Sequence, residues 1–158
     1  MKLLFVCLGN ICRSPLAQGI MEHLVKEKDL ESQFELDSAG TGNWHTGNLA
    51  DPRSLATAEH HGFSLTHRAR TVVPPDFEEF DLILAMDKDN FHNLQYMAKT
   101  SSQKKKICMI RDWDPEGEGE VPDPYYGTIE DFETVYRMLY RSNQRLLEIL
   151  LSEGNVKC

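Results

Sequence analysis

Cys7 and Arg13 are separated by five residues in the stretch Cys7-Leu8-Gly9-Asn10-Ile11-Cys12-Arg13-Ser14-Pro15. A cysteine becomes a nucleophile as its thiolate, and an arginine offers a planar fork that binds an oxyanion through parallel N–H bonds. The spacing suits a loop wrapped once around a tetrahedral oxyanion. Gly9 lets the backbone curl so that successive N–H groups point inward as a nest. Ser14 suits a helix N-cap and Pro15 the first helical position. The loop therefore ends at a helix N-terminus, where free N–H groups and the helix dipole favour an anion. The same dipoles stabilise a thiolate at Cys7. Phosphate is the obvious anion, with Cys7 aimed at its centre.

Hydrolysis of a phosphate ester also needs a proton for the leaving oxygen, because a departing alkoxide or phenoxide is a costly anion. Asp123, in Val121-Pro122-Asp123-Pro124-Tyr125-Tyr126-Gly127, is a loop carboxyl group that can donate this proton and then activate water. Read locally, the same Asp-Pro pair is simply a turn. Asp112 and Asp114 are the other acids in turn-rich surroundings. Trp44, Tyr125 and Tyr126 lie on loops, where aromatic rings either flank a flat aryl substrate or pack the loops onto the domain. Cys12 is either a resolving thiol for Cys7 or a small apolar filler. Cys7 and Cys12 lack a second pair at ligand spacing, so no metal site is expected. Around the loop, the Ser14 hydroxyl can hydrogen-bond the sulfur and the Asn10 amide can hold the backbone in a strained shape. Asp87 can cap a helix while orienting Arg13.

The elements that must position these groups are legible from periodicity. Leu3 to Val6 reads as a strand buried on both faces. Leu16, Ile20, Leu24 and Val25 recur at helical spacing, predicting a helix from Pro15 to about Leu30. Phe34 and Leu36 alternate with acids as a more exposed strand, and Ser38 to Gly42 breaks it. Asp51-Pro52 starts a second helix that Gly62 ends. Asp81 to Met86 is a central strand, and Asp87 caps a helix running to about Met97. Ile107 to Ile110 is the last strand, residues 111 to 127 form a long surface loop, and Thr128 to Asp131 resembles a capping box. A long C-terminal helix follows, with Phe132, Val135, Tyr136, Leu139, Leu146, Leu147 and Leu150 on one face. His60 and His61 are expected at a solvated helix end, and Lys104 to Lys106 in a solvated turn. The alternation predicts an α/β fold in three layers: a mainly parallel four-stranded sheet with helices on both faces, as a single domain over residues 1–158. Cys7 and Asp87 directly follow strands, so both belong at the carboxyl rim, where such sheets bind ligands.

With 17 Lys and Arg against 25 Asp and Glu, the formal charge is −8. That excludes a general nucleic-acid binder and predicts positive potential only locally, around the loop. No apolar run approaches the ~20 residues that span a bilayer, and the stretch after Met1-Lys2 is too brief for a signal peptide. Cys7, Cys12, Cys108 and Cys158 do not amount to a disulfide scaffold, so a reducing, cytoplasmic setting is expected.

The string Cys7 to Pro15 resembles the active-site loop of the low-molecular-weight protein tyrosine phosphatases. The Asp123-Pro124-Tyr125 and His67-Arg68-Ala69-Arg70 segments add to the resemblance, which runs from Met1 to about Leu151. It implies a phosphotyrosine hydrolase without metal or cofactor, with Cys7 as nucleophile, Arg13 as phosphate clamp and Asp123 as general acid and base. Leu8, Gly9, Asn10, Ile11, Cys12 and Ser14 would surround the phosphate. Trp44, Tyr125 and Tyr126 would wall a slot whose depth favours phosphotyrosine over the shorter phosphoserine. The resemblance further implies that Cys12 can form a disulfide with the nucleophile, and that His67 links Asn10 to Asp37. Tyrosine-phosphorylated proteins would be the partners of a monomer or, at most, a weak dimer. Thr71 departs from the pattern, which commonly has glutamine there. Two rival readings are thiol-dependent arsenate reduction, which needs two further cysteines close together on a flexible segment, and a non-catalytic phosphate-binding module.

Overall fold

Strand β1 (Lys2–Cys7) runs through the middle of the sheet because Leu3, Leu4, Phe5 and Val6 are all fully buried. Each such side chain contributes about 2 kcal/mol by leaving water. β1 pairs in parallel with β2 (Glu35–Gly40) on one side and β3 (Leu82–Ala85) on the other. β4 (Ile107–Met109) pairs in parallel with β3, so the strand order is β2-β1-β3-β4. The computed structural model describes residues 1–158. Its helices are α1 (Arg13–Glu27), α2 (Pro52–His60), α3 (Asp76–Glu79), α4 (Lys88–Met97), α5 (Ser101–Lys104) and α6 (Ile129–Glu153).

Successive strand side chains point to opposite faces, and the two faces carry separate cores. Leu3, Phe5 and Leu84 pack with Leu16, Ile20, Leu139 and Leu146 from α1 and α6. Leu4, Val6 and Ile83 pack with Phe77 and Leu94 from α3 and α4. The architecture is thus the expected α/β fold, with one parallel sheet between two helical layers. The register sets Cys7 opposite Gly40, Val6 opposite Ala85 and Ala85 opposite Met109, so the carboxyl ends of the strands share one rim.

Several elements depart from the sequence expectation. β2 continues through Ser38, Ala39 and Gly40, all buried, where a break is expected. Three small residues fit there because they pair with Phe5, Val6 and Cys7 in the ladder, and the Ser38 hydroxyl donates to Gln18 Oε1 at 2.6 Å. α1 starts at Arg13, with Cys12 rather than Ser14 preceding it, and ends at Glu27 rather than near Leu30; Asp29 beyond it is left-handed at φ 56°. The loop after β4 opens with a 3-10 turn over Ile110–Trp113. His60 is exposed as expected, but His61 is only partly so: its Nε2 lies 2.7 Å from Glu133 Oε1 and its ring stacks on Tyr136 at 3.6 Å, joining α2 to α6. Lys106 likewise folds back, its Nζ donating to the Phe77 and Glu78 carbonyls. Finally, Cys108 and Cys158 form a disulfide with Cα atoms 5.2 Å apart. Sequence reading does not foresee this pair, because only the turn at Gly154 (φ 81°) brings the tail back onto β4.

Candidate active site

Cys7 ends β1, and its buried Sγ lies 3.0 Å from Ser14 Oγ. Ser14 is therefore not a cap. Its hydroxyl accepts from Asn10 Nδ2 at 2.7 Å, which leaves its one proton for the sulfur. The left-handed residue in the loop is Asn10, at φ 57°, not Gly9; asparagine is among the few side chains that tolerate this conformation. Gly9 contributes space instead, since a Cβ there would approach His45 Cδ2 to 3.1 Å.

The loop carbonyls are held outward. Cys7 O accepts from Thr41 N, Leu8 O from Gly42 N and Ile11 O from Asp51 N, at 2.8–3.0 Å, and Cys12 O accepts from Ser54 Oγ at 3.1 Å. In a planar trans peptide, a carbonyl held outward turns its N–H to the opposite side. The resulting cup opens into a cavity of about 240 Å³ lined by Cys7, Leu8, Gly9, Ile11, Cys12, Arg13, Trp44, His45, Asp123, Tyr125 and Tyr126. Burial, reinforced by Asp51 and Cys7, pushes the Cys12 thiol up to about 12, so it stays protonated at neutral pH.

Asn10 is the hub beneath the cup. Its Nδ2 also donates to Ser38 Oγ at 3.0 Å. Its Oδ1 accepts from Arg70 N at 3.0 Å and faces His67 Nε2 at 2.8 Å. An amide oxygen only accepts, so His67 Nε2 carries the proton. His67 Nδ1 lies 3.4 Å from Asp37 Oδ1, a contact that becomes an ion pair only when the ring is protonated. Burial lowers the His67 pKa below its ordinary 6.5 despite Asp37, with Arg70 adding to the fall. Asp37 is already engaged, since its Oδ2 accepts from Arg70 Nε at 3.0 Å. A histidine whose folded pKa is depressed binds more protons when unfolded, so stability is lost as pH falls below about 6.5. The melting temperature is expected to drop between pH 7.5 and 5.5, and His67→Gln is expected to shrink that drop. Equal drops in both proteins would remove His67 from the acid response.

Arg13 lines the cup. Its Nη1 donates to Asp87 Oδ2 at 2.7 Å and to the Val121 carbonyl at 3.0 Å. Both Nη1 protons are thus committed, leaving Nε and Nη2 for an anion. Asp87 Oδ1 also accepts from Asn90 N at 2.8 Å and caps α4. Burial disfavours the charge on Arg13, but Cys7, Asp87 and Asp123 more than offset it, so the guanidinium is held above its usual range.

The Asp123 side chain is 46% exposed, with Oδ2 3.8 Å from Arg13 Nη2 and Oδ1 accepting from Tyr125 N at 3.1 Å. Asp123 is the acid of this loop that faces the cavity. Asp114 is buried in ion pairs with Arg111 and Arg141, and Asp112 turns back to accept from Met109 N. Trp44 stands at the mouth, 68% exposed, and Tyr126 is almost free at 97%, while Tyr125 is more enclosed. Arg53, which the sequence reading does not single out, donates to the Tyr125 and Gly127 carbonyls at 2.8 and 3.0 Å and holds the wall in place. The Val121 contact also escapes sequence reading, because a backbone acceptor leaves no mark on residue type. His45 carried no motif.

No three His, Cys, Asp or Glu side chains are grouped as around a metal ion. A larger cleft, about 1000 Å³, lies between the tail and β4 and contains Cys108 and Cys158. These cysteines are bonded to each other and are absent from the Cys7 cavity lining, so they do not supply the thiol relay that arsenate reduction requires.

The family model for low molecular weight phosphotyrosine protein phosphatase matches residues 2–156. A Synechocystis protein named as a putative low molecular weight protein-tyrosine-phosphatase is 44% identical over 154 residues, covering 97% of this chain and 98% of its own. A crystal structure of a protein tyrosine phosphatase from Entamoeba histolytica, with Hepes in its active site, superposes with a TM-score of 0.93 at 40% identity and covers 99% of each chain. The structure of a Drosophila arginine phosphatase superposes with a TM-score of 0.90 at 35% identity, covering 97% of this chain and 99% of that one.

Proposed function

Because the chain belongs to the low molecular weight phosphotyrosine protein phosphatase family, we propose that Cys7, Arg13 and Asp123 hydrolyse phosphotyrosine through a phosphocysteine intermediate. The observation that carries this reading is one cup in which the Cys7 sulfur, the free side of Arg13 and the Asp123 carboxyl group line the same cavity. The thiolate attacks phosphorus in line while the loop amides and Arg13 Nε and Nη2 bind the equatorial oxygens, where transition-state charge gathers. The bond to the tyrosyl oxygen breaks, and that oxygen takes the proton of Asp123. Water then attacks the phosphocysteine and gives a proton to Asp123. Phosphate departs, and the Ser14 hydroxyl stabilises the returning thiolate. Leu8, Gly9, Ile11 and Cys12 surround the phosphate, and Trp44, Tyr125 and Tyr126 flank the ring. Asn10 carries the strained backbone, which His67 and Asp37 support.

We further propose that residues 1–158 act as a single domain, as a monomer, on tyrosine-phosphorylated proteins in the cytoplasm. Cys12 would be the partner of an oxidised Cys7: a Cys7 sulfenic acid and the Cys12 thiol condense to a disulfide and release water.

Asp123→Ala tests the acid assignment. Its kcat/KM is expected to fall on the order of 100-fold for phenyl phosphate but only a few fold for p-nitrophenyl phosphate, whose phenoxide leaves without help. Equal losses on both substrates would reject Asp123 as the acid. The aromatic walls favour a flat ring, so a phosphotyrosine peptide is expected to be turned over at least about tenfold faster than a phosphoarginine peptide of the same sequence. The reverse order would place this chain's specificity with that of the Drosophila arginine phosphatase.

A further inference from the structure

Arg111 lies outside the cavity, yet each of its three guanidinium nitrogens donates within the loop that carries Asp123. Its Nε donates to Asp114 Oδ2, its Nη1 to the Glu120 carbonyl and its Nη2 to the Gly117 carbonyl, each at 2.9 Å. The loop thereby closes on itself around one side chain. Without such a hub it would be slack, because Gly117 and Gly119 both have positive φ (123° and 149°). The ring is tied to the fold behind it: Asp114 Oδ1 accepts from Arg141 Nε of α6 at 2.6 Å and from Glu116 N at 2.9 Å. Glu120 Oε2 accepts from Lys88 N at the start of α4.

The ring ends directly before Val121, both of whose backbone groups are committed. Val121 N donates to Met86 O at 2.8 Å, and Val121 O accepts from Arg13 Nη1 at 3.0 Å. Two residues later stands Asp123, with a half-exposed side chain and one short bond, to its own Tyr125 N. Downstream, Asp123 is held through Tyr125, whose carbonyl Arg53 binds; upstream, its only route to the fold runs through Val121. Val121 is pinned to Met86 and Arg13, and the closed loop, whose last bond is to the Glu120 carbonyl, sets how the chain enters it.

We propose that Arg111 is a positioning residue for leaving-group protonation: its three-way fork closes residues 111–120 so that Asp123 is delivered over the cup at the height of the leaving oxygen. The proposal rests on the reading of Asp123 as general acid. A guanidinium is required, because a lysine ammonium in the same place reaches one acceptor and cannot span three carbonyl and carboxylate oxygens set in a fork. A misplaced acid costs rate only where the leaving group needs its proton.

The test compares wild type, Arg111→Ala, Arg111→Lys and Asp123→Ala on phenyl phosphate and p-nitrophenyl phosphate, with inhibition by inorganic phosphate measured alongside. Both Arg111 variants are expected to lose on the order of 10-fold or more in kcat/KM for phenyl phosphate, less than about 3-fold for p-nitrophenyl phosphate, and to keep the phosphate inhibition constant. If Arg111→Ala does not fold, Arg111→Lys carries the comparison. Equal losses on the two substrates, a weakened phosphate inhibition that accounts for the loss, or full activity in Arg111→Lys would each overturn the proposal. If Asp123→Ala loses selectively and the Arg111 variants do not, only this inference falls. If Asp123→Ala shows no selective loss, the acid assignment falls and takes the inference with it.

Discussion

Cys7→Ser is expected to lower kcat by on the order of 10⁵-fold or more while inorganic phosphate still binds within about threefold of wild type. The substitution exchanges one atom at the floor of the cup and leaves the loop intact. The Ser14 hydroxyl, 3.0 Å from the sulfur, still has an acceptor in front of it. The Asn10 bonds beneath the loop do not involve residue 7 at all. What is lost is the nucleophile, since a serine hydroxyl remains protonated and no base lies behind it to take its proton. Steady-state turnover of an aryl phosphate and calorimetric titration with phosphate check the two halves separately. Residual turnover within about 100-fold of wild type would mean that water attacks phosphorus directly, and the covalent route would have to be abandoned.

Arg13→Lys is expected to lower kcat/KM by on the order of 10³-fold and, unlike the cysteine change, to weaken phosphate inhibition as well. The wild-type guanidinium spans three tasks at once. Nη1 satisfies Asp87 and the Val121 carbonyl, while Nε and Nη2 remain for the anion. A lysine ammonium that reaches Asp87 has no planar edge left to present. Arg13 is also almost wholly buried, so the acceptors it abandons stay unpaired away from water. Inhibition constants for phosphate in the two proteins measure the ground-state share of the loss, and kcat/KM measures the whole. Unchanged phosphate inhibition would show that Arg13 acts only in the transition state.

The parts of this molecule that declare themselves in sequence are those whose residue type is forced by an unusual requirement. β1 and β3 need apolar residues on both faces, and Leu3 to Val6 and Leu82 to Ala85 supply them. Asp87 and Asp131 stand where helix starts need an acceptor, the latter accepting from Thr128 N at 2.7 Å. Cys7, Arg13 and Asp123 carry chemistry that few residues can replace. The remainder is hidden where a partner is a backbone atom or lies far along the chain. Ser14 carries the residue type of a cap and serves the sulfur, because α1 begins two residues earlier than its signals suggest. Ser38 to Gly40 have the composition of a turn, yet they form the end of a strand because β1 lies beside them. Arg53 and Arg111 carry no signal in the sequence, since several of their acceptors are backbone carbonyls elsewhere along the loops.

The bridge from Cys108 to Cys158 has a practical corollary at the bench. A thiol reductant added to keep Cys7 and Cys12 reduced also cuts this crosslink. The bridge closes a 50-residue sequence separation, which in the unfolded chain is worth up to about 4 kcal/mol of restraint. A melting curve recorded in reductant therefore describes an untethered chain. An affinity handle fused after Cys158 would hang beside β4, on the cleft that Met1 and Asp81 also line, away from the catalytic cavity.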